Sequence, residues 1–299
     1  MGIIAKSRRF MSAMVMSSIL ACGAAQADEP TRIVAAENMY GKIAQAIGGD
    51  LVTVTSIISS PTEDPHLFEA KPETADALKN AQIVIYNGIG YDDWMKRLLE
   101  KHATQGLHVI VASDLVSARN GDNPHLWYKP ETAPKVAQAL AKLLEKAQPD
   151  HADDFRNNLA AFEAALKPVD EKIAAIRGTY AGTVVAATEP VFGYMAAALG
   201  LKMENKAFQD AVMKNAEPTP ADVKAFEKGL SDGKIRVLFY NSQVTDQATA
   251  RILEIAKSHH VPVVGVTETA PKDKSFADWM LAELAATETA LADAKSHKH

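Results

Sequence analysis

ADDFRNNLAAFEAALKPVDEKIAAIR, residues 152–177, decides how the rest of the chain is read. Its apolar positions Phe155, Leu159, Phe162, Leu166, Val169, Ile173 and Ile176 recur at alternating spacings of four and three. That pattern lines them up as one stripe on a helix. As a single helix the stretch reaches ~39 Å at about 1.5 Å per residue, long enough for a strut along two lobes. Pro168 has no amide hydrogen and is expected to kink or break the run; two shorter helices packed on one lobe are the alternative.

What flanks the strut supplies the lobes. Before it, Arg32–Ala36, Val52–Ile58, Ile83–Tyr86 and His108–Val111 read as strands, with helical patterns at Met39–Ile47, Thr74–Asn80 and Asp93–Lys101. After it, Val184–Ala187, Val237–Tyr240 and Val263–Val266 read as strands. Helices are expected at Val191–Leu199, Ala221–Lys228, Gln247–Ser258 and Phe276–Leu291. Strand–helix alternation predicts parallel sheets covered by helices on both faces. The fold class is therefore α/β, two (β/α) lobes joined by one long helix. The expected division is 28–150 for the first lobe, 151–178 for the linking helix and 179–299 for the second.

Residues 1–27 stand apart from this pattern. Lys6, Arg8 and Arg9 precede a short apolar stretch, Phe10–Ala21, and Ala25-Gln26-Ala27 offers a small-x-small cleavage site. This is the form of an export signal, and about 12 apolar residues are too few to span a bilayer. Ile19-Leu20-Ala21-Cys22 is a weaker lipoprotein signal that would leave Cys22 as the lipidated first residue. Cleavage after Ala27 is the preferred reading, and either route places the protein outside the cytoplasm. Cleavage after Ala27 removes three positive charges and no acid, moving the formal charge from -5 to -8, and takes away the only cysteine. Any transition metal would then be held by nitrogen and oxygen alone. With 37 Asp+Glu against 32 Lys+Arg and no basic stripe, nucleic acid is not an expected partner.

Two histidines share a local context. Glu63-Asp64-Pro65-His66-Leu67-Phe68 and Asp122-Asn123-Pro124-His125-Leu126-Trp127 each place an acid or amide, then proline, ahead of the imidazole. Proline restricts the backbone on both sides of itself, which suits a ring presented in one orientation. Both lie after predicted strands, where ligands bind in open α/β sheets. One such histidine is ordinarily structural; a matched pair points to a site. In the second half, Glu189 follows Val184–Thr188 and Glu268 follows Val263–Thr267, each just past a strand, with Asp273 the fallback for the latter. A glutamate ahead of a helix also complements the helix dipole. Two imidazoles and two carboxylates, however, form a donor set suited to a first-row metal. Motifs of hydrolases and nucleotide-binding loops are absent, which leaves a secreted metal-dependent hydrolase as the weaker alternative.

With these residues in view, the chain resembles the zinc/manganese group of periplasmic solute-binding proteins of bacterial ABC importers. The resemblance spans essentially all of the chain after residue 27. It is carried by Glu63-Asp64-Pro65-His66 with Phe68-Glu69 and Lys71-Pro72, by Tyr86-Asn87-Gly88, by Asn123-Pro124-His125-Leu126-Trp127, and by Thr188-Glu189 before Phe192-Gly193-Tyr194. It implies a monomeric, non-enzymatic receptor that passes a divalent metal ion to an inner-membrane ABC permease; a surface adhesin of the same fold is a further reading. It also implies His66, His125, Glu189 and Glu268 as ligands. Relatives usually carry Asp near the last of these, and zinc-type relatives a third histidine where Glu189 stands and often a His- and acid-rich loop.

Two carboxylates free to bind through both oxygens allow five or six coordination, which favours Mn2+, with Zn2+ next and Fe2+ also admitted. Protons compete for imidazole, so affinity is expected to fall below about pH 6.5. Asp64 and Asn123 are expected either to orient the rings or only to cap turns. Trp127 and Phe68 are expected to pack around the site, and Tyr194 to lie in the core. His102, His108, His151, His259 and His260 are read as structural, and His297 and His299 as adventitious metal binders in the tail.

Overall fold

The computed structural model describes residues 1–2 and 29–296. Lys6, Arg8, Arg9, Phe10–Ala21, Cys22 and Ala25-Gln26-Ala27 of the expected export signal lie outside the described residues, as do His297 and His299. Strands β1 (Thr31–Glu37), β2 (Val52–Ile58), β3 (Ile83–Tyr86) and β4 (His108–Val111) form one sheet in the order β2-β1-β3-β4. Strands β5 (Val184–Ala187), β6 (Lys202–Glu204), β7 (Leu238–Asn241) and β8 (Val263–Val266) form a second in the order β6-β5-β7-β8. All neighbours are parallel. Two lobes therefore share one topology, although no internal repeat is visible in the sequence.

Side chains alternate across each sheet, as a strand's period of two requires. Ile33, Ala35, Ile83 and Ile85 point to one face of the first sheet, and Val34, Ala36 and Val84 to the other. In the second sheet Val185, Ala187 and Phe239 oppose Ala186 and Leu238 in the same way. Both faces are covered, which is why these strands read as continuous apolar runs. The outer face of each sheet has its own small core. The inner faces of both sheets belong to one continuous core, together with Phe155, Phe162, Leu166, Val169 and Ile176 of the strut.

The strut is one helix, Ala152–Tyr180, of 29 residues, or ~43 Å. It runs unbroken through Pro168, against the expectation of a break. Pro168 and Ala164 both face solvent, so water can serve the Ala164 carbonyl that lacks an amide partner. A Pro168→Ala change restores that hydrogen bond and is expected to raise stability by about 1–3 kcal/mol. Denaturant midpoints would measure it, and an unchanged or lower midpoint would show that the proline costs the helix nothing.

β6 and the helix Lys206–Met213 have no counterpart among the expected elements. The three residues of β6, Lys-Met-Glu, include no β-branched side chain, and the strand lies at a sheet edge. β7 begins one residue later than expected and ends on Asn241, a shift that matters below.

Candidate metal centre

In each sheet the chain crosses from the first strand to opposite sides, which opens a crevice at the carboxyl ends of the strands. Every strand except β6 sends a polar group there. β2 leads to His66 and β4, through the short helix Ala112–Leu115, to His125; β5 leads to Glu189 and β8 to Glu268. β1 ends on Glu37, β3 leads to Asn87 and Tyr91, and β7 ends on Asn241.

The two histidine turns are built alike and act differently. Asp64 Oδ1 accepts the His66 backbone N–H at 2.9 Å and caps a 3-10 turn that starts at Pro65. Asn123 Oδ1 accepts the His125 N–H at 3.1 Å and also lies 2.7 Å from His125 Nδ1. The amide nitrogen of Asn123 is engaged elsewhere, donating to the Pro190 carbonyl at 2.6 Å. Its oxygen can only accept, so His125 Nδ1 carries the proton and Nε2 presents a lone pair. Asn123 therefore orients the ring, whereas Asp64 caps the turn.

Four donor atoms meet at this point. The Nε2 atoms of His66 and His125 are 3.4 Å apart, and each lies 3.3 Å from Glu268 Oε2. Glu189 Oε1 is 3.6 Å from His66 Nε2, and one donor atom from each of the four residues falls within 4.8 Å of the others. Around an ion with ~2.0–2.1 Å bonds, tetrahedral ligands stand roughly 3.3–3.4 Å apart, so the His66–His125–Glu268 triangle has the dimensions of one such face. Glu189 Oε1 is buried without a hydrogen-bond donor, an acceptor left for a cation to satisfy. Asp273, the fallback for the fourth position, is exposed and outside the group.

Electrostatics tie the four together. Burial opposes a charge on His66, but its contacts with Glu268 and Glu189 prevail and push it up to about 9. Burial pulls His125 down, consistent with a neutral ring. Glu189 is pushed up to about 8 by burial and by the neighbouring Glu268 charge. Glu268 is held well below the usual carboxylate range: burial works against its charge, but its hydrogen bonds to His125 and His66 outweigh it. The cluster therefore shares protons at neutral pH.

Several groups around the donors carried no obvious sequence signal. Tyr91 donates to Glu268 Oε2 at 2.9 Å. It follows a turn at Gly88, whose φ of 86° and whose position 2.3 Å from Ser113 Oγ, measured at the Cβ site, exclude a side chain. Asn241 Nδ2 donates to Glu189 Oε2 at 2.5 Å and to Glu268 Oε1 at 2.7 Å. Gln243 Oε1 accepts the Glu268 N–H at 2.6 Å, while its nitrogen donates to the Glu63 carbonyl of the first lobe at 2.8 Å. Behind Tyr91, Glu37 and Asp92 are buried side by side: burial raises both, Asp92 to about 7, and Asp92 raises Glu37 further, while the hydrogen bond between them lowers Asp92. Asn241 and Glu37 share with the donors a place at a strand end, the one sequence signal these groups carry.

Other expectations divide. Trp127 packs on His125 and Tyr91, with ring centroids 5.3 and 4.9 Å apart. Phe68 does not reach the site; it packs on Trp94 in the outer core. Tyr194 is half-buried, and its hydroxyl donates across the lobes to the Asn123 carbonyl at 2.8 Å. Its amphipathic ring packs partly buried against the main core while the polar end makes that bond. His102, His108, His151, His259 and His260 lie outside the group.

Comparison with known proteins agrees in fold and in sequence. The family model ZnuA, described as zinc-uptake complex component A, periplasmic, matches residues 33–290. The chain is 27% identical over 251 residues to the manganese-binding lipoprotein MntA of Bacillus subtilis, covering 80% of each chain. It is 24% identical over 251 residues to the iron ABC transporter substrate-binding lipoprotein MtsA of Streptococcus pyogenes serotype M1, covering 79% of this chain and 80% of that one. Its fold matches the periplasmic zinc-binding protein TroA of Treponema pallidum with a TM-score of 0.75 at 18% identity, over 88% of this chain and 99% of the other.

Proposed function

This chain belongs to the ZnuA family of periplasmic zinc-uptake components, and from that premise we propose that it captures a divalent transition metal for an ABC permease. It acts as a binding component and not as an enzyme, so neither the hydrolase nor the adhesin reading is favoured. The observation that carries the proposal is the meeting of His66, His125, Glu189 and Glu268, each from a different strand end and two from each lobe. Two imidazole nitrogens and two carboxylate oxygens suit the ions named for its relatives: manganese, iron and zinc. Work outside the cytoplasm fits the periplasmic family description and the export signal read in residues 1–27.

The ion's path follows from exposure. The His66 side chain is 12% accessible, against 1% for Glu189 and none for His125 and Glu268. A groove lined by Asn123, Pro190 and Tyr194 leads to it. His66 is the donor an entering ion meets first and a leaving ion releases last. Bonds across the cleft, such as Asn123 to Pro190 and Gln243 to Glu63, hold the lobes together over the other three. Release to the permease requires some of these bonds to open.

Titrating metal-stripped protein with zinc or manganese tests the proposal. One ion per chain is expected, with at least one proton released at pH 7, because the metal-free cluster holds protons on His66 and Glu189. The sign follows from the raised values. Below about 9 the ion must displace a proton from His66, so affinity rises with pH up to that point and then levels off. The window lies above the 6.5 expected of a free imidazole because Glu268 holds the proton more tightly. Calorimetry in buffers of different ionisation enthalpy reads the protons directly. Binding without proton release, or several weak ions per chain, would sink the reading.

A further inference from the structure

We infer that Asn241 fixes the coordination number of the site, holding each carboxylate to a single ligating oxygen and so favouring zinc over manganese. This rests on the metal-receptor reading above and asks how that receptor chooses its ion. The amide sits at the carboxyl end of β7, between two glutamates that belong to different strands. Its orientation is settled by its neighbours. Asn241 Oδ1 accepts the Gln243 N–H at 3.0 Å, and the Asn241 backbone N–H is anchored on Thr188 Oγ1 at 3.1 Å. The NH2 group must therefore face the carboxylates, and its two hydrogens serve one oxygen each, Glu189 Oε2 and Glu268 Oε1.

The oxygens left over are the ones that face the imidazoles. Glu268 Oε2 lies 3.3 Å from both histidine nitrogens, and Glu189 Oε1 lies 3.6 Å from His66. Bidentate binding by either glutamate would have to turn the oxygen held by Asn241 toward the imidazoles, stretching or breaking a buried N–H bond. Asn241 is itself buried, so water cannot replace the lost bond. Four-coordinate N2O2 binding leaves both Asn241 bonds in place, whereas five or six coordination by bidentate carboxylates displaces them. Zinc accepts four ligands readily, and manganese prefers more oxygen. Manganese is favoured only where both oxygens of each carboxylate are free.

Any nitrogen/oxygen site binds zinc above manganese, so the informative quantity is the change in their ratio on substitution. Asn241→Ala removes both donors, and Asn241→Leu removes them while keeping the bulk. In each, the ratio of zinc to manganese affinity, measured by chelator competition, is expected to fall about 10–100-fold, the usual span for groups that orient ligands. Bound cobalt reports the coordination number: intense visible absorption for four ligands in the wild type, weak absorption for five or six in the variants. A merely structural role would weaken both metals by the same factor and leave the cobalt spectrum unchanged, and that result would overturn the inference. So would a weak five- or six-coordinate cobalt spectrum in the wild type, which needs no variant to fold. If the wild type bound none of the three metals, the receptor reading itself would fall, and this inference with it.

Discussion

Replacing Glu268 by alanine is expected to weaken metal capture on the order of a hundredfold, while replacing Asp273 leaves it intact. Glu268 is fully buried and contacts both histidines and the Tyr91 hydroxyl through Oε2 and Asn241 through Oε1. Zinc binding to a four-ligand site is worth ~10–16 kcal/mol at neutral pH. One donor of four then accounts for roughly 3 kcal/mol, on the order of a hundredfold in affinity. The variant also strands the Tyr91 hydroxyl and an Asn241 hydrogen in a dry interior at about 1–3 kcal/mol each, a cost that falls on stability with or without metal. His125→Ala, which removes a buried and correctly oriented nitrogen, belongs in the same range, and His66→Ala also removes one donor. Asp273 is exposed and lies near Lys42. Chelator competition on the four variants decides the matter. Loss of binding in Asp273→Ala with retention in Glu268→Ala would move the fourth ligand, and full affinity in both histidine variants would end the metal-site proposal.

The parts of the molecule that could be read in advance are those whose physics is local. Seven strands can be read in advance: a central parallel strand buried on both faces needs an unbroken run such as Ile83–Tyr86, and the edge strand β2, VTVTSII, shows by its β-branched side chains. The strut shows in its own periodicity because its stripe faces one continuous core. β6 does not show, since backbone pairing with β5 makes it a strand and its side chains add nothing to that. The donor residues follow the same division. Histidines after proline and glutamates after strands can be named from the chain, and the fold brings those four together. The groups that hold the donors cannot, because an amide earns its role only from what faces it. Asp64 and Asn123 occupy equivalent places in matching motifs. Only Asn123 has an NH2 to spend on Pro190 of the other lobe, and that bond is what turns its oxygen toward His125.

Phe162→Ala is expected to cost about 3–5 kcal/mol of stability, the usual range for truncating a buried aromatic ring. A typical domain has ~5–15 kcal/mol in all, so this single change removes a large share. Phe162 is buried in the stripe of the strut and packs toward Phe276, with ring centroids 6.4 Å apart. Phe276 opens the last helix of the second lobe, Phe276–Ser296. Closer to its start the strut is tied to the first lobe, where Asn158 donates to the Ile47 carbonyl at 2.9 Å. The cavity left by the ring would lie between the strut and the second lobe, in the core that also contains the inner faces of both sheets. Chains of this size often unfold in stages, but lobes that share one core should lose it together. The variant should therefore melt in a single transition at lower temperature, with the signals of Trp127 in the first lobe and Trp279 in the second changing in step. Bound metal should shift that transition upward, because on the proposed ligand set an ion bridges both lobes and favours only the folded state. Two separate transitions would mean that each sheet is stabilised by its own outer core and that the strut is only a tether. The metal site would then depend on the bonds across the cleft to keep its halves together.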